Sequence, residues 1–254
     1  MTRKLTVAAL VLTLAAAAAS AMTLDEVVAK NLEARGGKDK ILAVQSVLIT
    51  GKVHMPNGMD APLVWRWKRP NKLRSEVTLQ GMKLVQAFDG KTAWMIMPFA
   101  GKTDAEKMPA EQAKRMEEQA DFDGPFVNGK DKGYQLELMG KKTIEGTEGY
   151  QIKVTNKFGE VTYYDLDAEY FLVFKEEGTR TIRGQKIEFE SSVGDYKEVN
   201  GLLFPFSVES KVKGSQQGQS VTFDKVKLNV DLDDSQFVMP PPKPIPTAST
   251  PAKK

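Results

Sequence analysis

Leu63-Val64-Trp65-Arg66-Trp67-Lys68-Arg69-Pro70-Asn71-Lys72-Leu73 is the stretch that decides the fold. Leu63, Trp65 and Trp67 fall on one side of an extended chain, and Arg66 and Lys68 on the other. This period of two belongs to a strand with one face against an apolar interior. Pro70-Asn71 turns the chain, and Leu73, Val77 and Leu79 repeat the alternation. Outward from here, the same period runs through Ser46–Met55, Ala61–Lys68, Leu73–Leu79, Met82–Phe88 and Thr92–Met97. The joints are Pro56-Asn57-Gly58, Gly81 and Asp89-Gly90, the last a strong hairpin dipeptide. Five strands in a meander are expected.

Before this meander, Thr23 and Glu26 form a capping box for a helix over 23–35, with Leu24, Val27, Val28 and Leu32 at helical spacing and Gly36-Gly37 as the stop. A short helical piece, Lys38 to Val44, leads into the first strand. After it, Gly101 to Gly133 breaks the pattern. Asp104 to Ala120 carries Met108, Ala110, Ala113 and Met116 among many charges, which predicts one or two amphipathic helices with Pro109 in a first turn. An insertion of this kind in a meander is a candidate lid. Strands then resume at Tyr134–Leu138, Lys142–Glu145, Tyr150–Thr155, Val161–Asp165, Tyr170–Glu176, Lys186–Tyr196, Leu202–Lys211 and Ser220–Asn229. Eleven to thirteen strands in one wide, curved antiparallel sheet are expected.

The ends of the chain read differently. Arg3 and Lys4 precede an apolar run from Leu5 to Ala19, and Ala19-Ser20-Ala21 offers the small-x-small pattern of a signal peptidase site, so residues 1–21 are read as a cleavable export signal. The run falls short of the roughly 20 apolar residues that span a bilayer. Without cysteine there is no lipidation site at the new terminus and no disulfide, and the core must come from apolar burial alone. Removal of Arg3 and Lys4 leaves +1 of the formal charge of +3, which argues for neither nucleic acid nor an anionic surface as partner. Residues 22–239 form one domain, and the proline-dense 240–254 is read as a disordered tail.

Equipment for catalysis is sparse. His54 is the one histidine, which excludes histidine/cysteine metal sites, and no Gly-x-Ser-x-Gly elbow or phosphate-binding glycine loop is present. Two acidic clusters, Asp165/Asp167/Glu169 and Asp231/Asp233/Asp234, lack calcium-loop spacing and read as turns and strand-end caps. A β-rich hydrolase using Asp165 or Asp233 is the enzyme alternative. The reading preferred here is no enzyme, no cofactor and no metal. What the strands offer instead is apolar surface: Leu63, Trp65 and Trp67; Leu73, Val77 and Leu79; Trp94 and Ile96 opposite Met95 and Met97; and Leu202, Phe204, Phe206 and Val208. Aromatic and methionine side chains suit acyl chains of varying shape, and suit an ordinary packed core equally.

Two segments resemble a known family. Trp67-Lys68-Arg69-Pro70-Asn71 followed by Leu73, and Phe88-Asp89-Gly90-Lys91-Thr92-Ala93-Trp94 with Met97-Pro98-Phe99, are similar to the paired motifs of the outer-membrane lipoprotein carriers of the LolA family. The late Phe237-x-x-Pro240 and the capped first helix fit the same layout. The resemblance implies an unclosed β-barrel of about eleven strands with a helical lid over an apolar cavity. It implies a soluble periplasmic monomer that accepts lipoprotein acyl chains, or another lipid, from an inner-membrane transporter and hands them to an outer-membrane acceptor. Arg69 matches the family arginine that latches the lid, and Leu63, Trp65, Trp67, Val77, Trp94, Ile96, Phe204 and Phe206 are the expected cavity wall. Tyr196 to Pro205 looks more like carrier-like sorting proteins of other kinds, so a lipid-sensing or assembly module with a membrane-protein partner is the alternative function.

Overall fold

The computed structural model describes residues 22–182 and 184–242, so the expected export signal, 1–21, and all but the start of the proline-rich segment lie outside the described residues. Helix α1, Leu24–Ala34, begins as its capping box dictates: Thr23 Oγ1 accepts from the Glu26 amide at 3.3 Å while Glu26 Oε2 accepts from the Thr23 amide at 2.7 Å. Two glycines with positive φ, Gly36 and Gly37, end it. A Cβ on Gly36 would sit 2.1 Å from the Gly201 carbonyl oxygen, so this turn tolerates no side chain. Helix α2, Lys38–Ala43, buries Ile41.

Six strands follow: β1 Ser46–His54, β2 Asp60–Lys68, β3 Lys72–Leu79, β4 Met82–Phe88, β5 Ala93–Met97 and β6 Lys102–Lys107. Helix α3, Ala110–Gln119, separates them from seven more: β7 Gln135–Ile144, β8 Thr147–Thr155, β9 Val161–Asp167, β10 Val173–Ile182, β11 Gln185–Val199, β12 Leu202–Val212 and β13 Gly218–Leu228. All thirteen form one antiparallel sheet in the order β6-β5-β4-β3-β2-β1-β13-β12-β11-β10-β9-β8-β7. The chain therefore starts in the middle, runs out to the β6 edge, crosses to the β7 edge and returns until β13 pairs with β1. The sheet is an unclosed barrel whose two free edges are consecutive strands, joined by the segment that carries α3.

Three details depart from the sequence expectations. Residues 104–107 belong to an edge strand instead of a helix. Lys-Thr-Asp-Ala-Glu-Lys folds back on β5 through a turn at Pro98–Ala100 and Gly101, and charges on both faces suit an unpaired edge. The helix proper starts at Ala110 with Pro109 as its N-cap. Tyr134–Leu138 and Lys142–Glu145 are one strand, β7, irregular between Leu138 and Gly140. Strand β10 starts at Val173, three residues late, because Phe171 takes a φ of 57° in the preceding turn.

The register of β1 with β2 and β13 assigns the inner face: Val47, Ile49 and Val53 oppose Trp67, Trp65 and Ala61 on one side and Leu228, Val226 and Val221 on the other. Val27 and Leu32 of α1 and Ile41 of α2 pack on this face with Leu63, Phe206 and Phe223. Gly51 lies at a bulge opposite β13, where a Cβ would stand 2.2 Å from the Thr222 carbonyl oxygen.

Candidate functional site

Six of the eight expected wall residues come together on the inner face. Leu63 is buried in the main apolar cluster, and Trp65, Trp67, Val77 and Phe204 pack against it beside buried Phe206. Trp65 meets Trp67 edge-on at 5.3 Å and Phe223 at 5.4 Å, with its Nε1 donating to Ser75 Oγ at 2.7 Å.

The register moves Trp94 and Ile96 to the outer face. They oppose Ala87 and Val85, which oppose Arg74 and Glu76 of β3, whereas Leu73 and Val77 point inward. Trp94 is 1% exposed because residues after β13 fold across it: its Nε1 donates to the Phe237 carbonyl at 2.7 Å, and Met239 packs on the same cluster. Met95 takes the inward position instead, packed with Leu73, Phe88, Met108 and Met116.

Residues 108–134 form a strap from edge to edge. Met108, Met116 and Ala120 pack on the inner side of β3 to β5, and the Trp67 indole donates to the Gln119 carbonyl at 2.8 Å. Beyond α3, Phe126 and fully buried Val127 sink into the main cluster, with Phe126 against the Tyr164 ring at 5.4 Å. Arg69 joins the pieces. Its Nη1 and Nη2 donate to the two carboxylate oxygens of Asp123 at 2.9 and 2.7 Å, its Nε to the Val44 carbonyl at 2.6 Å, and Nη2 also to the Ile41 carbonyl at 3.1 Å. The guanidinium lies 4.7 Å from the centre of the Phe122 ring. One planar fork thus ties β2 to the C-terminal end of α2 and to the strap, a task for which a lysine has neither the donors nor the shape. Asp123, 3% exposed, takes a further contact from Lys132 at 3.7 Å, and its carbonyl accepts from Arg35 at 3.1 Å. Burial holds the Arg35 pKa below its ordinary value, opposed by the nearby acids. No pattern in the sequence singled out Asp123.

With the strap in place the apolar inner surface is occupied by α1, α2, Phe126 and Val127, and the gap among Ile41, Phe122, Leu202 and Phe204 has room for only about 20 Å³. Larger spaces lie around the strap. A cleft of about 530 Å³ separates it from α1, between Leu24, Val28, Phe126 and Leu136, and one of about 380 Å³ opens between Pro70, Tyr134 and Phe158. A chamber of about 260 Å³ lies beneath α3, with walls that include Arg115, Glu118, Tyr164, Glu176, Arg180 and Phe189. Burial raises the pKa values of Glu118 and Glu176, with hydrogen bonding from Asn156 and the charge of Arg180 respectively opposing it. It raises those of Tyr134 and Tyr164 as well.

The acidic clusters have structural work. Asp167 accepts from the amides of Glu169 and Tyr170, Asp233 caps the turn at Asp234–Gln236, and Asp234 pairs with Lys68 and Lys72, whose hydrogen bonds push it down to about 2. Buried Asp165 accepts from Gln151 at 2.9 Å. His54 sits between Asp60 and Thr222 at 2.6 and 2.8 Å. Among the described residues no acidic or histidine cluster has the grouping to hold a metal, and no helix is long and apolar enough to cross a membrane.

An unclosed antiparallel barrel, with its two edges bridged by a helical strap over an apolar inner face, is a fold shared with solved structures. The chain is similar over 86% of its length to 98% of a LolA superfamily protein from Nitrosomonas europaea, with a TM-score of 0.57 and 16% identity. It is similar over 84% of its length to 95% of a putative outer membrane lipoprotein-sorting protein domain from Vibrio parahaemolyticus, with a TM-score of 0.56 and 10% identity. At such identities the likeness is one of fold. The sequence matches no protein-family model and no curated protein.

Proposed function

We propose that the protein is a periplasmic carrier that takes acyl chains of lipoproteins, or of another lipid, onto its inner face when the strap is displaced, and performs no bond chemistry. It acts as a monomer, receiving cargo from an inner-membrane transporter and passing it to an outer-membrane acceptor. One observation carries this reading: the apolar inner face is covered by a strap tied down through side chains, chiefly Arg69 to Asp123, and not by a sheet ladder. Displacing such a cover exposes aromatic and aliphatic surface without dismantling the sheet, and the exposed surface favours acyl chains over water. The likeness in fold to the putative outer membrane lipoprotein-sorting domain from Vibrio parahaemolyticus supports it.

Native mass spectrometry of the protein purified from the cell envelope tests the proposal. Stoichiometric lipoprotein or lipid adducts that leave for acceptor vesicles are expected. Protein that stays lipid-free, both as purified and after exposure to lipoprotein in detergent, would overturn it.

A further inference from the structure

The chamber under α3 does not look like space for hydrocarbon. Tyr164, Glu176 and Arg180 project from β9 and β10 on the inner face, as the pairing of Glu176 with Tyr164 and of Gly178 with Phe189 through β11 requires. Arg115 and Glu118 come down from α3 on the opposite wall. Among the described residues Arg180 makes no ion pair. Its guanidinium lies 3.6 Å from the centre of the Phe189 ring, and burial, with the nearby Arg115 next, disfavours its charge. Arg115 reaches only the Thr181 carbonyl, at a long 3.4 Å. Glu176, for its part, has no hydrogen-bond donor among the described residues and feels chiefly burial, with Arg180 and Glu118 next. Two arginines therefore share one small chamber with the acidic side chains of Glu118, Asp121, Glu160 and Glu176. Although Asn156 donates to Glu118 and Glu160 and Lys132 to Asp121, Arg180 and Glu176 have no direct polar partner among the described residues, an arrangement whose desolvation is unfavourable until something supplies the missing contacts.

We propose that this chamber receives the zwitterionic headgroup of a phospholipid whose acyl chains occupy the apolar face: a phosphate held by Arg115 and Arg180, and an ammonium held by Glu118 and Glu176. This rests on the carrier reading and adds the class of lipid. Planar guanidinium donors suit phosphate oxygens, and each wall carries one arginine and one glutamate, so a headgroup with phosphate at one end and ammonium at the other can engage both kinds of group. A purely anionic headgroup leaves Glu176 unpartnered, and a neutral one satisfies neither Glu176 nor the arginines.

The test is uptake by the full chain from vesicles containing phosphatidylethanolamine, phosphatidylglycerol or diacylglycerol of matched acyl chains, followed by re-isolation and quantification of bound lipid. Phosphatidylethanolamine is expected about tenfold or more above diacylglycerol and severalfold above phosphatidylglycerol, the range of one or two charge-assisted hydrogen bonds. Arg180→Gln should bring phosphatidylethanolamine down to the diacylglycerol level. Glu176→Gln should abolish the preference over phosphatidylglycerol. Arg115→Gln, on the outer wall and less able to disturb folding, should act in the same direction as Arg180→Gln. Equal uptake of the three lipids, or preferences unchanged in all variants, would overturn the headgroup site while leaving an acyl-chain carrier. Failure to take up any lipid or lipoprotein would overturn both readings.

Discussion

Replacing Arg69 by leucine should open the strap without unfolding the sheet. The substitution removes both bonds to Asp123 and the two to the Ile41 and Val44 carbonyls, and it leaves a carboxylate that is 3% exposed. Breaking one side of a buried ion pair costs about 3–5 kcal/mol. The low end applies here, because Lys132 stands 3.7 Å from Asp123 and the Arg69 side chain is 22% exposed. About 3 kcal/mol corresponds to a shift of roughly two orders of magnitude between closed and open strap. Hydrogen exchange reads it directly: amides between Asp121 and Tyr134 should exchange about a hundredfold faster, with those of β1 and β13 unchanged. In a transfer assay, cargo should be retained instead of passed on, since the empty closed state has lost its latch while the apolar face survives. Asp123→Asn should give the weaker form, about 1–2 kcal/mol, since an amide still accepts a hydrogen bond. Unaltered exchange in the strap would refute the latch. So would a loss of protection spread equally over the whole sheet, which would make Arg69 an ordinary structural residue.

Other consequences follow from the same geometry. Trp94→Ala should destabilise the fold by about 3–5 kcal/mol in chemical denaturation yet leave lipid uptake intact, because the indole is on the outer face; parallel loss of uptake would contradict that assignment. Trp67→Phe removes the bond to the Gln119 carbonyl and should loosen α3 by about 1 kcal/mol, seen as exchange several-fold faster at Met116 to Ala120 and nowhere else. For pH, burial raises the pKa values of Glu118 and Glu176, which face Arg115, Arg180, Glu160 and Tyr164. Their contribution is full below the ordinary value of 4.5 and is lost as pH rises through their raised values. The double variant Glu118→Gln/Glu176→Gln should therefore flatten part of the fall in stability above pH 4.5. Below it the two proteins should run parallel, since there the groups with lowered values, Glu177 beside Lys175 among them, take over.

Much of the fold was legible because its elements announce themselves locally. Thr23 with Glu26, and the alternation from Leu63 to Lys68, need no partner to be read. Face assignment at β5 failed for a physical reason: alternation divides Trp94 and Ile96 from Met95 and Met97 but does not say which pair is inside, and here both sides are covered, the outer one by Phe237 and Met239. Strand β6 was hidden because an edge strand exposed on both faces has no apolar period to show. Arg69 was visible as a motif. Its partner Asp123 was not, since 54 residues and the whole first meander separate them. The polar chamber depends likewise on α3 meeting β10 across some sixty residues of sequence, which no local pattern encodes.

Chain order also constrains how the strap opens. The strap is anchored at both ends in paired strands, β6 on β5 and β7 on β8, so it cannot swing away as a flap hinged at one side. It can bow outward, and the contacts that resist this are side-chain ones: Arg69 and Arg35 to Asp123, Trp67 to Gln119, Asn156 to Glu118, Lys157 to Glu117, Arg115 to the Thr181 carbonyl, and the packing of Met116, Phe126 and Val127. Lys132 to Asp121 lies within the strap and moves with it. Because β6 and β7 do not pair with each other, bowing breaks no sheet hydrogen bond, and the energy at stake is that of a few side-chain contacts plus the apolar area they cover. An acyl chain that replaces Phe126 and Val127 on the inner face restores the apolar part and leaves the polar latch as the difference between empty and loaded states. On the proposed carrier function the Arg69–Asp123 pair sets the direction of transfer: weakening it favours the loaded state, and strengthening it favours release.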